Sequence, residues 1–247
     1  MSIQQKTHVF VFKKEDRLES DRVFSVFSKD FGRIEIFGKA IRKMPSKLRG
    51  NTEIFSFSKF EFIQGKSKKT LTDAIFIEKF KTLKEIPEKL ETAYKIADVV
   101  DDFIKGEEPD EHIYNLLKDV FNKLDICIEL SSYYQLIYYY FIWNFIFILG
   151  YGPELFMCAI CKKSLNPLSL YFSNKEGGAI CEQCSLSSKD NIKVKADVIK
   201  VIRLILKKDW TTLLKLKIAL DCKNELEQVS ENYYKYLLSS HSLQKNI

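Results

Sequence analysis

Apolar and polar residues alternate through the first 80 residues of the chain. The alternation runs in five short segments rich in Val, Ile and Phe, at residues 7–13, 22–28, 32–39, 54–63 and 70–80. This period of two is typical of half-buried β-strands. In the third segment Ile34 and Ile36 share one face, whereas Phe37 lies on the other. Five short strands in so few residues predict a small barrel.

After residue 80 the apolar residues recur every three to four positions, which is the period of amphipathic helices. Helices are predicted at residues 86–105, 110–124, 129–149, 195–208 and 222–238. In the first helix we expect Leu90, Tyr94 and Ala97 on the buried face. The apolar run Leu136–Leu149 is shorter than the ~18 residues that a membrane span needs, so a core helix and no membrane partner are expected. The sequence thus predicts an α+β chain, with a barrel domain at 1–80 and an all-helical domain at 81–247.

Two Cys-x-x-Cys pairs interrupt the helical part, Cys158 with Cys161 and Cys181 with Cys184. The loop between them falls within the spacing of about 15 to 20 residues that separates paired ligands in structural zinc sites. Four thiolates fill every position around a tetrahedral zinc ion and leave none for an activated water. The sequence therefore predicts one structural Zn²⁺ in a module at about 156–186.

Two other interpretations of these cysteines remain open. A thioredoxin-like redox couple needs one pair alone and usually opens a helix after a strand, whereas Gly-Pro and Gly-Gly turns precede the pairs here. A disulfide framework needs an oxidising compartment. Because the chain begins MSIQQKTH without an apolar signal segment, we expect a cytoplasmic protein with free thiols.

Basic residues are concentrated at the two ends of the chain, on either side of an acidic stretch at 81–130, and the net charge is +6. Charge alone fits a polyanionic partner and a solvated surface equally well. However, a five-stranded barrel that ends in a hairpin fits the oligonucleotide-binding fold, whose ligands contact strands two and three and the adjoining loops. The predicted DNA-binding residues lie in those places and in the segment after strand three: Lys13, Lys14, Arg17, Arg22, Arg33, Phe37, Lys39, Arg42, Lys43, Lys47, Arg49, Lys66, Lys68 and Lys69.

The sequence contains no pattern that predicts an enzyme. It has no Gly-rich phosphate loop, and the three histidines show neither nucleophile nor metal spacing. The neighbouring carboxylates Asp101 and Asp102 diverge by about 100° on a helix, so we interpret them as solvated surface and not as a magnesium site.

The order of a basic barrel, a helical domain and a four-cysteine module resembles the RecO family of bacterial recombination mediators, over nearly the whole chain. The segments that carry the resemblance are ESDRVFSVFSKDFGRIEIFGKAIRK at 19–43, SKLRG at 46–50, LGYGPEL at 149–155, and the cysteine pairs with LYFS and EGGAIC. The main departure is Lys162, where many zinc knuckles have a glycine that permits a left-handed turn.

The resemblance implies a non-enzymatic protein of the cytoplasm and nucleoid that binds single- and double-stranded DNA and anneals complementary strands. It implies that the protein acts with RecR to load RecA onto DNA coated by single-strand-binding protein, whose acidic C-terminal tail it binds. Our candidates for the tail site lie on the helix at 195–208, beside an apolar stripe: Lys200, Arg203, Lys207 and Lys208. Two alternatives stay open, a zinc-stapled interaction scaffold without DNA binding and an enzyme, either a thiol oxidoreductase or a zinc hydrolase.

Overall fold

The computed structural model describes residues 3–43, 47–127, 131–187 and 190–244. The chain forms two compact units, Met1–Ile137 and Tyr138–Ile247. The elements of the first unit are β1 (Ile3–Arg17), β2 (Asp21–Ser28), β3 (Gly32–Gly38), α1 (Lys47–Gly50), β4 (Ser56–Gln64), β5 (Lys69–Lys79), a 3-10 turn (Thr82–Lys84), α2 (Pro87–Phe103) and α3 (Glu111–Ile126). Helix α4 (Ser131–Ile148) begins in this unit and continues into the second.

The second unit contains the rest of α4 and a mixture of short strands and helices. Its elements are β6 (Leu170–Ser173), β7 (Gly178–Cys181), α5 (Glu182–Ser185), β8 (Asn191–Val194), α6 (Ala196–Leu206), α7 (Trp210–Lys215) and α8 (Leu220–Gln244). Strands followed by helices confirm the predicted α+β class. The sequence does not predict the three-stranded sheet in the order β7-β6-β8. Strands β6 and β7 lie inside the predicted module at 156–186, and β8 follows it.

Strands β1 to β5 close into a barrel in the order β1-β2-β3-β5-β4, which confirms the predicted five-stranded barrel. Strand β1 pairs antiparallel with both β2 and β4. A short parallel ladder, in which Ile36 faces Lys69 and Phe37 faces Thr70, joins β3 to β5. Alternate side chains fill the interior: Val9, Val11, Phe24, Val26, Ile34, Ile36, Phe60 and Phe62. The alternation in β3 is as predicted, since Phe37 is half-buried on the other face.

The helices of the first unit pack against the outside of the barrel. The ring of Phe10 on β1 lies 4.5 Å from that of Phe121 on α3, measured between centroids. Gly32 is in the left-handed region, and a Cβ there would lie 2.1 Å from the carbonyl oxygen of Glu108, so the chain before α3 also packs directly on the barrel. Barrel and helices therefore share a core, and the compact unit extends past residue 80. The domain boundary at residue 80 stays a prediction.

Helix α2 buries a different face from the one that the hydrophobic pattern predicts. Ala97 is buried as expected, but Tyr94 is 47% exposed and Leu90 is half-buried. Lys89 is fully buried in their place, at 0% exposure. A hydrophobic pattern counts a lysine as a surface residue, so it rotates the predicted face toward Leu90 and Tyr94.

Hydrogen bonds explain how the Lys89 ammonium group is accommodated in the core. Its Nζ donates to the Thr82 hydroxyl at 2.7 Å and to the Asp125 carbonyl at 2.8 Å. The Asp125 carboxylate accepts from the backbone N–H groups of Thr82 and Leu83 at 2.8 and 3.2 Å. Burial lowers the pKa of Lys89, and the charge of Asp125 opposes that shift. This polar cluster ties the start of α2 to the end of α3.

In the second unit, α4 is the buried core helix that the sequence predicts. Trp143 is fully buried, and its Nε1 donates to the Ser230 hydroxyl at 2.9 Å. The buried amide of Asn144 donates to the Ile205 carbonyl at 3.2 Å. The first predicted residues of this helix, 129 and 130, lie outside the described residues. No helix in the described ranges combines the length and the apolar content that crossing a membrane requires.

We predict that Lys89→Ala lowers the free energy of unfolding by about 3 kcal/mol, because it removes a buried stem and leaves the Thr82 and Asp125 acceptors without their donor. Urea denaturation measures the change. The matched control on the same helix is Lys95→Ala, which removes one exposed ion pair with Glu91 and should cost under about 0.5 kcal/mol. Equal effects of the two variants would contradict a structural role for Lys89.

Candidate metal centre and nucleic-acid interface

The four cysteines of the two pairs are brought together by a fold-back of the chain onto β7. Cys181 ends β7 and Cys184 lies on α5, while the N–H of Ala159 donates to the Ala179 carbonyl at 2.8 Å. A Cβ at Gly178 would lie 2.3 Å from the carbonyl oxygen of Glu154. Glycine at this position lets the segment before the first cysteine pair approach the strand that carries the second.

The turn around the first pair forms although Lys162 replaces the usual glycine. Lys162 has a φ of 59°, in the left-handed region, and its N–H donates to the Cys158 carbonyl at 3.0 Å. The N–H of Cys158 donates in return to the Lys163 carbonyl at 2.9 Å. The sequence departure at Lys162 therefore leaves the turn geometry intact.

The sulfur atoms have the spacing of a tetrahedral metal site. All four Sγ atoms lie within 4.8 Å of one another, and those of Cys161 and Cys181 are 3.8 Å apart. Zn–S bonds of about 2.3 Å in a tetrahedron place the sulfurs about 3.8 Å apart. This cluster, which lies within the described residues, can therefore hold a metal ion. Its all-sulfur donor set suits zinc.

Electrostatics in the cluster also favour a bound cation. Burial raises the pKa of the Cys158 thiol, but N–H groups of Cys161, Cys181 and Ile160 outweigh burial, and the pKa falls to about 6. Burial and the three neighbouring sulfurs raise the pKa of Cys184 to about 12. Cys158 therefore ionises easily whereas Cys184 resists ionisation, and a set of four thiolates needs a positive ion among them.

A groove on the barrel in the first unit gathers many of the predicted DNA-binding residues. The β3 groove, as we call it, has a volume of about 430 Å³. Its lining comes from β2, β3, the β4–β5 hairpin and the chain after α2: Val23, Arg33, Ile34, Glu35, Phe37, Gln64, Lys66, Ser67, Lys68, Lys69, Lys105 and Glu107. Five of these residues are cations and two are carboxylates, so the groove is positively charged.

An aromatic ring and a lysine lie side by side in the β3 groove. The Nζ of Lys68 is 4.0 Å from the centroid of the half-buried Phe37 ring. Lys66 and Lys68 are exposed and form no ion pair within the part of the chain that the structure describes. By contrast, Lys69 pairs with Glu107 at 2.6 Å. Lys66, Lys68 and Phe37 are therefore available to an external ligand.

Several predicted DNA-binding cations are engaged within the first unit itself. Asp101 on α2 pairs with Arg33 at 2.5 Å and with Lys13 at 3.6 Å. Burial raises the pKa of Asp101, but Arg33 and the other nearby cations outweigh burial, and the net shift is downward. Asp101 is therefore not the solvated surface residue that the sequence predicts, because it neutralises barrel cations.

Other predicted cations pair near the β1–β2 hairpin or lie outside the groove. The pairs are Arg17 with Glu15, Arg22 and Arg42 with Asp16, and Lys43 with Glu19. Lys39 is exposed. The side chains of Lys47 and Arg49 lie outside the described part of the structure. Sequence reasoning missed Lys105, because it follows a helix far along the chain from the barrel strands.

The predicted peptide site on α6 differs from its expected form. The apolar stripe of α6 is buried in the core of the second unit: Val198, Ile199, Val201, Ile202 and Ile205. Arg203 donates to the Leu155 carbonyl, and its guanidinium lies 4.6 Å from the centroid of the Phe156 ring, which is 65% exposed. Lys200 pairs with Asp197 at 2.9 Å. Phe156, and not the stripe, is therefore the apolar side chain exposed beside Arg203.

Comparison with known families agrees with this architecture. The sequence model described as "Recombination protein O N terminal" matches residues 1–80, and "Recombination protein O C terminal" matches residues 87–246. The chain belongs to the RecO family. This result confirms the resemblance seen in the sequence, and it makes the chain a member of a family of DNA repair proteins.

Individual family members align along most of the chain. DNA repair protein RecO of Dehalococcoides mccartyi is 30% identical over 222 residues, which cover 90% of this chain and 86% of that protein. The RecO proteins of Desulforamulus reducens and Acetivibrio thermocellus are 25% and 26% identical, and the alignments cover 94% and 96% of this chain and 89% and 92% of theirs.

Proposed function

We propose that the β3 groove binds a DNA strand and that the protein acts in DNA repair as a non-enzymatic recombination mediator. The observation that carries this proposal is the pairing of Phe37 with Lys68 next to Lys66, in a groove on β2, β3 and the β4–β5 hairpin. These are the positions at which barrels of the oligonucleotide-binding type hold their ligands. Membership of a DNA repair family supports the same ligand.

The groove residues suit contacts with phosphates and with base faces. Lysines neutralise phosphates without reading the sequence. A ring such as Phe37 stacks on any base, with a contribution of about 1–3 kcal/mol per base. Binding to the groove should therefore be nearly independent of the base sequence. The same charge neutralisation would reduce repulsion between two strands, which is the physical requirement for annealing and for contact with double-stranded DNA.

The protein partners follow from the family alone. We propose that the protein acts with RecR and single-strand-binding protein, and through them on RecA, in the cytoplasm and at the nucleoid. For the acidic tail of single-strand-binding protein we propose the surface around Phe156 and Lys200, with Lys207 and Lys208 as further cations. Arg203 would contribute through its stack on Phe156, since its Nη2 already donates to the Leu155 carbonyl.

We propose further that the four-cysteine cluster holds one structural Zn²⁺. Cys158, Cys161, Cys181 and Cys184 would supply all four ligands, and the ion would fix the fold-back of the chain onto β7. A closed set of four thiolates leaves no position for an activated water. The role of the ion would then be to stabilise the second unit and not to catalyse a reaction.

The DNA proposal predicts a change in the salt dependence of binding. For single strands, log affinity falls against log salt with a slope of about −0.7 per phosphate contact. The double variant Lys66→Ala/Lys68→Ala should therefore flatten the slope by about 1.4. Fluorescence anisotropy of a labelled oligothymidine at several salt concentrations measures this slope.

The matched control is Lys95→Ala/Lys118→Ala, which lowers the net charge by the same amount on the exposed faces of α2 and α3. It should leave the slope close to that of the wild type. An unchanged slope in the groove variant would refute the groove as the DNA site. A protein that shows no salt-dependent retention of single strands at all would favour the interaction scaffold.

The zinc proposal predicts one zinc ion per chain by mass spectrometry of the metal content. Thiolates bind metal only when deprotonated, so acid or a chelator should release the ion and lower the melting temperature. Cys158→Ser/Cys181→Ser should abolish zinc binding, whereas the control Cys127→Ser, outside the cluster, should retain it. Full zinc content in the double variant would rule out this ligand set.

A further inference from the structure

A second pocket lies in the first unit, between the end of the β1–β2 hairpin, the chain before β4 and helix α2. It has a volume of about 690 Å³, within the range of about 300 to 1,000 Å³ that is typical of small-molecule sites. The charged and large apolar residues of its lining include Lys14, Arg22, Glu53, Lys84, Leu90 and Tyr94. No residue that lines the β3 groove also lines this pocket, which we call the Tyr94 pocket.

Positive charge exceeds negative charge in the Tyr94 pocket. Three lining residues are cations, and Glu53 is the one carboxylate among the lining residues that the structure describes. Glu53 pairs with Lys84, and Arg22 donates to Asp16 at 2.7 Å. Lys14 forms no ion pair with any described residue. Burial lowers the pKa of Lys14, and the positive charges of Arg22 and Lys84 lower it further.

The apolar wall of the pocket is the part of α2 that the hydrophobic pattern assigns to the core. Tyr94 is 47% exposed there, and its ring makes an edge-on contact with Phe55 at 5.0 Å between centroids. Phe55 has a φ of 56°, a left-handed conformation that bulky residues rarely adopt and that occurs more often at functional sites. Its N–H donates to the Val11 carbonyl at 2.7 Å, which holds the strained residue in place.

We propose that the Tyr94 pocket binds a nucleotide by its terminal phosphate, with the phosphate at Lys14 and Lys84 and the base against Tyr94. Glu53 and Asp16 compensate Lys84 and Arg22, so Lys14 is the lining cation without an ion pair among the described residues. A terminal phosphate would therefore meet Lys14 directly and could share Lys84 with Glu53. The exposed tyrosine ring offers a stacking surface for a base. The nucleotide comes either from a free mononucleotide or from the phosphorylated end of a DNA strand. This inference does not depend on the β3 groove.

The strand-end arm of the test compares three oligonucleotides of one sequence with an internal fluorescent label. One carries a 5′ phosphate, one a 3′ phosphate and one neither. Since a charged hydrogen bond changes affinity by about tenfold or more, one phosphorylated strand should bind about tenfold more tightly than the unmodified strand. Lys14→Gln should abolish that preference. The control Lys68→Ala, in the β3 groove, should keep the preference, whatever its effect on the overall affinity for the three strands.

The free-nucleotide arm measures the melting temperature of the full chain with deoxyadenosine monophosphate or with deoxyadenosine. If the pocket takes free nucleotides, the monophosphate alone should raise the melting temperature, and Lys14→Gln should lose the shift. In whichever arm responds, Tyr94→Phe should keep the response, because it retains the ring, and Tyr94→Ala should reduce it. A response in either arm that depends on Lys14 and Tyr94 supports the proposal.

The proposal is overturned if the phosphate changes neither the affinity for the strand nor the melting temperature with the free nucleotide. It is equally overturned if the effect of the phosphate persists in Lys14→Gln. It is also overturned if an acidic peptide with an apolar C-terminal residue raises the melting temperature through Lys14 while the nucleotide does not. That last result would assign the pocket to a protein partner. Because Lys14 forms no ion pair with any described residue, the melting temperature of Lys14→Gln without ligand should stay close to that of the wild type.

Discussion

Ion pairs between the barrel and the helices beside it determine which cations of the first unit remain available. Asp101 on α2 holds Arg33 and Lys13, and Glu107 holds Lys69. The basic barrel and the acidic stretch that follows it in the sequence are therefore partners within one compact unit. Among the described residues of this unit, Lys66 and Lys68 in the β3 groove and Lys14 in the Tyr94 pocket form no ion pair, and these are the places where we propose that an external anion binds.

These ion pairs explain how the barrel remains stable although it keeps a net positive charge. Half-buried cations such as Arg33 would be costly without a carboxylate partner. Exposed lysines such as Lys66 and Lys68 keep their hydration and lose it when a phosphate replaces water. Arg22 and Val23 are consecutive on β2, yet they line different pockets, because successive strand side chains point to opposite faces. Strand β2 thus lines two pockets.

The elements that depend on local pattern could be predicted from the sequence. The alternation in β3 gave Ile34 and Ile36 as interior residues, and the Cys-x-x-Cys spacing gave the cluster. Features that depend on a single tertiary contact could not be predicted. Lys89 can be buried because the Thr82 hydroxyl and the Asp125 carbonyl accept hydrogen bonds from its ammonium group, and no periodicity carries that information. The strands β6, β7 and β8 have four residues each, which is too short for a clear alternation.

The same limit applies to the candidate sites. The sequence does not show which basic residues form ion pairs. It therefore predicts Arg33 and Lys13 as DNA-binding residues together with Lys66 and Lys68, although Asp101 pairs with the first two in the structure. The backbone turn at Lys162 could not be predicted for a related reason. A lysine adopts the left-handed conformation at an energetic cost, and the sequence alone does not show that this residue adopts it. The stripe of α6 looked like a peptide groove because helical periodicity does not distinguish a core face from a docking face.

We propose that single-stranded DNA lies in the β3 groove. Hydrogen exchange of the full chain, followed by mass spectrometry with and without an oligothymidine, would locate the strand. We expect slower exchange at residues 32–38 and 64–69 when the strand is bound, because the ligand covers β3 and the β4–β5 hairpin. Slower exchange confined to residues 196–244, with none at 32–38 and 64–69, would contradict the claim.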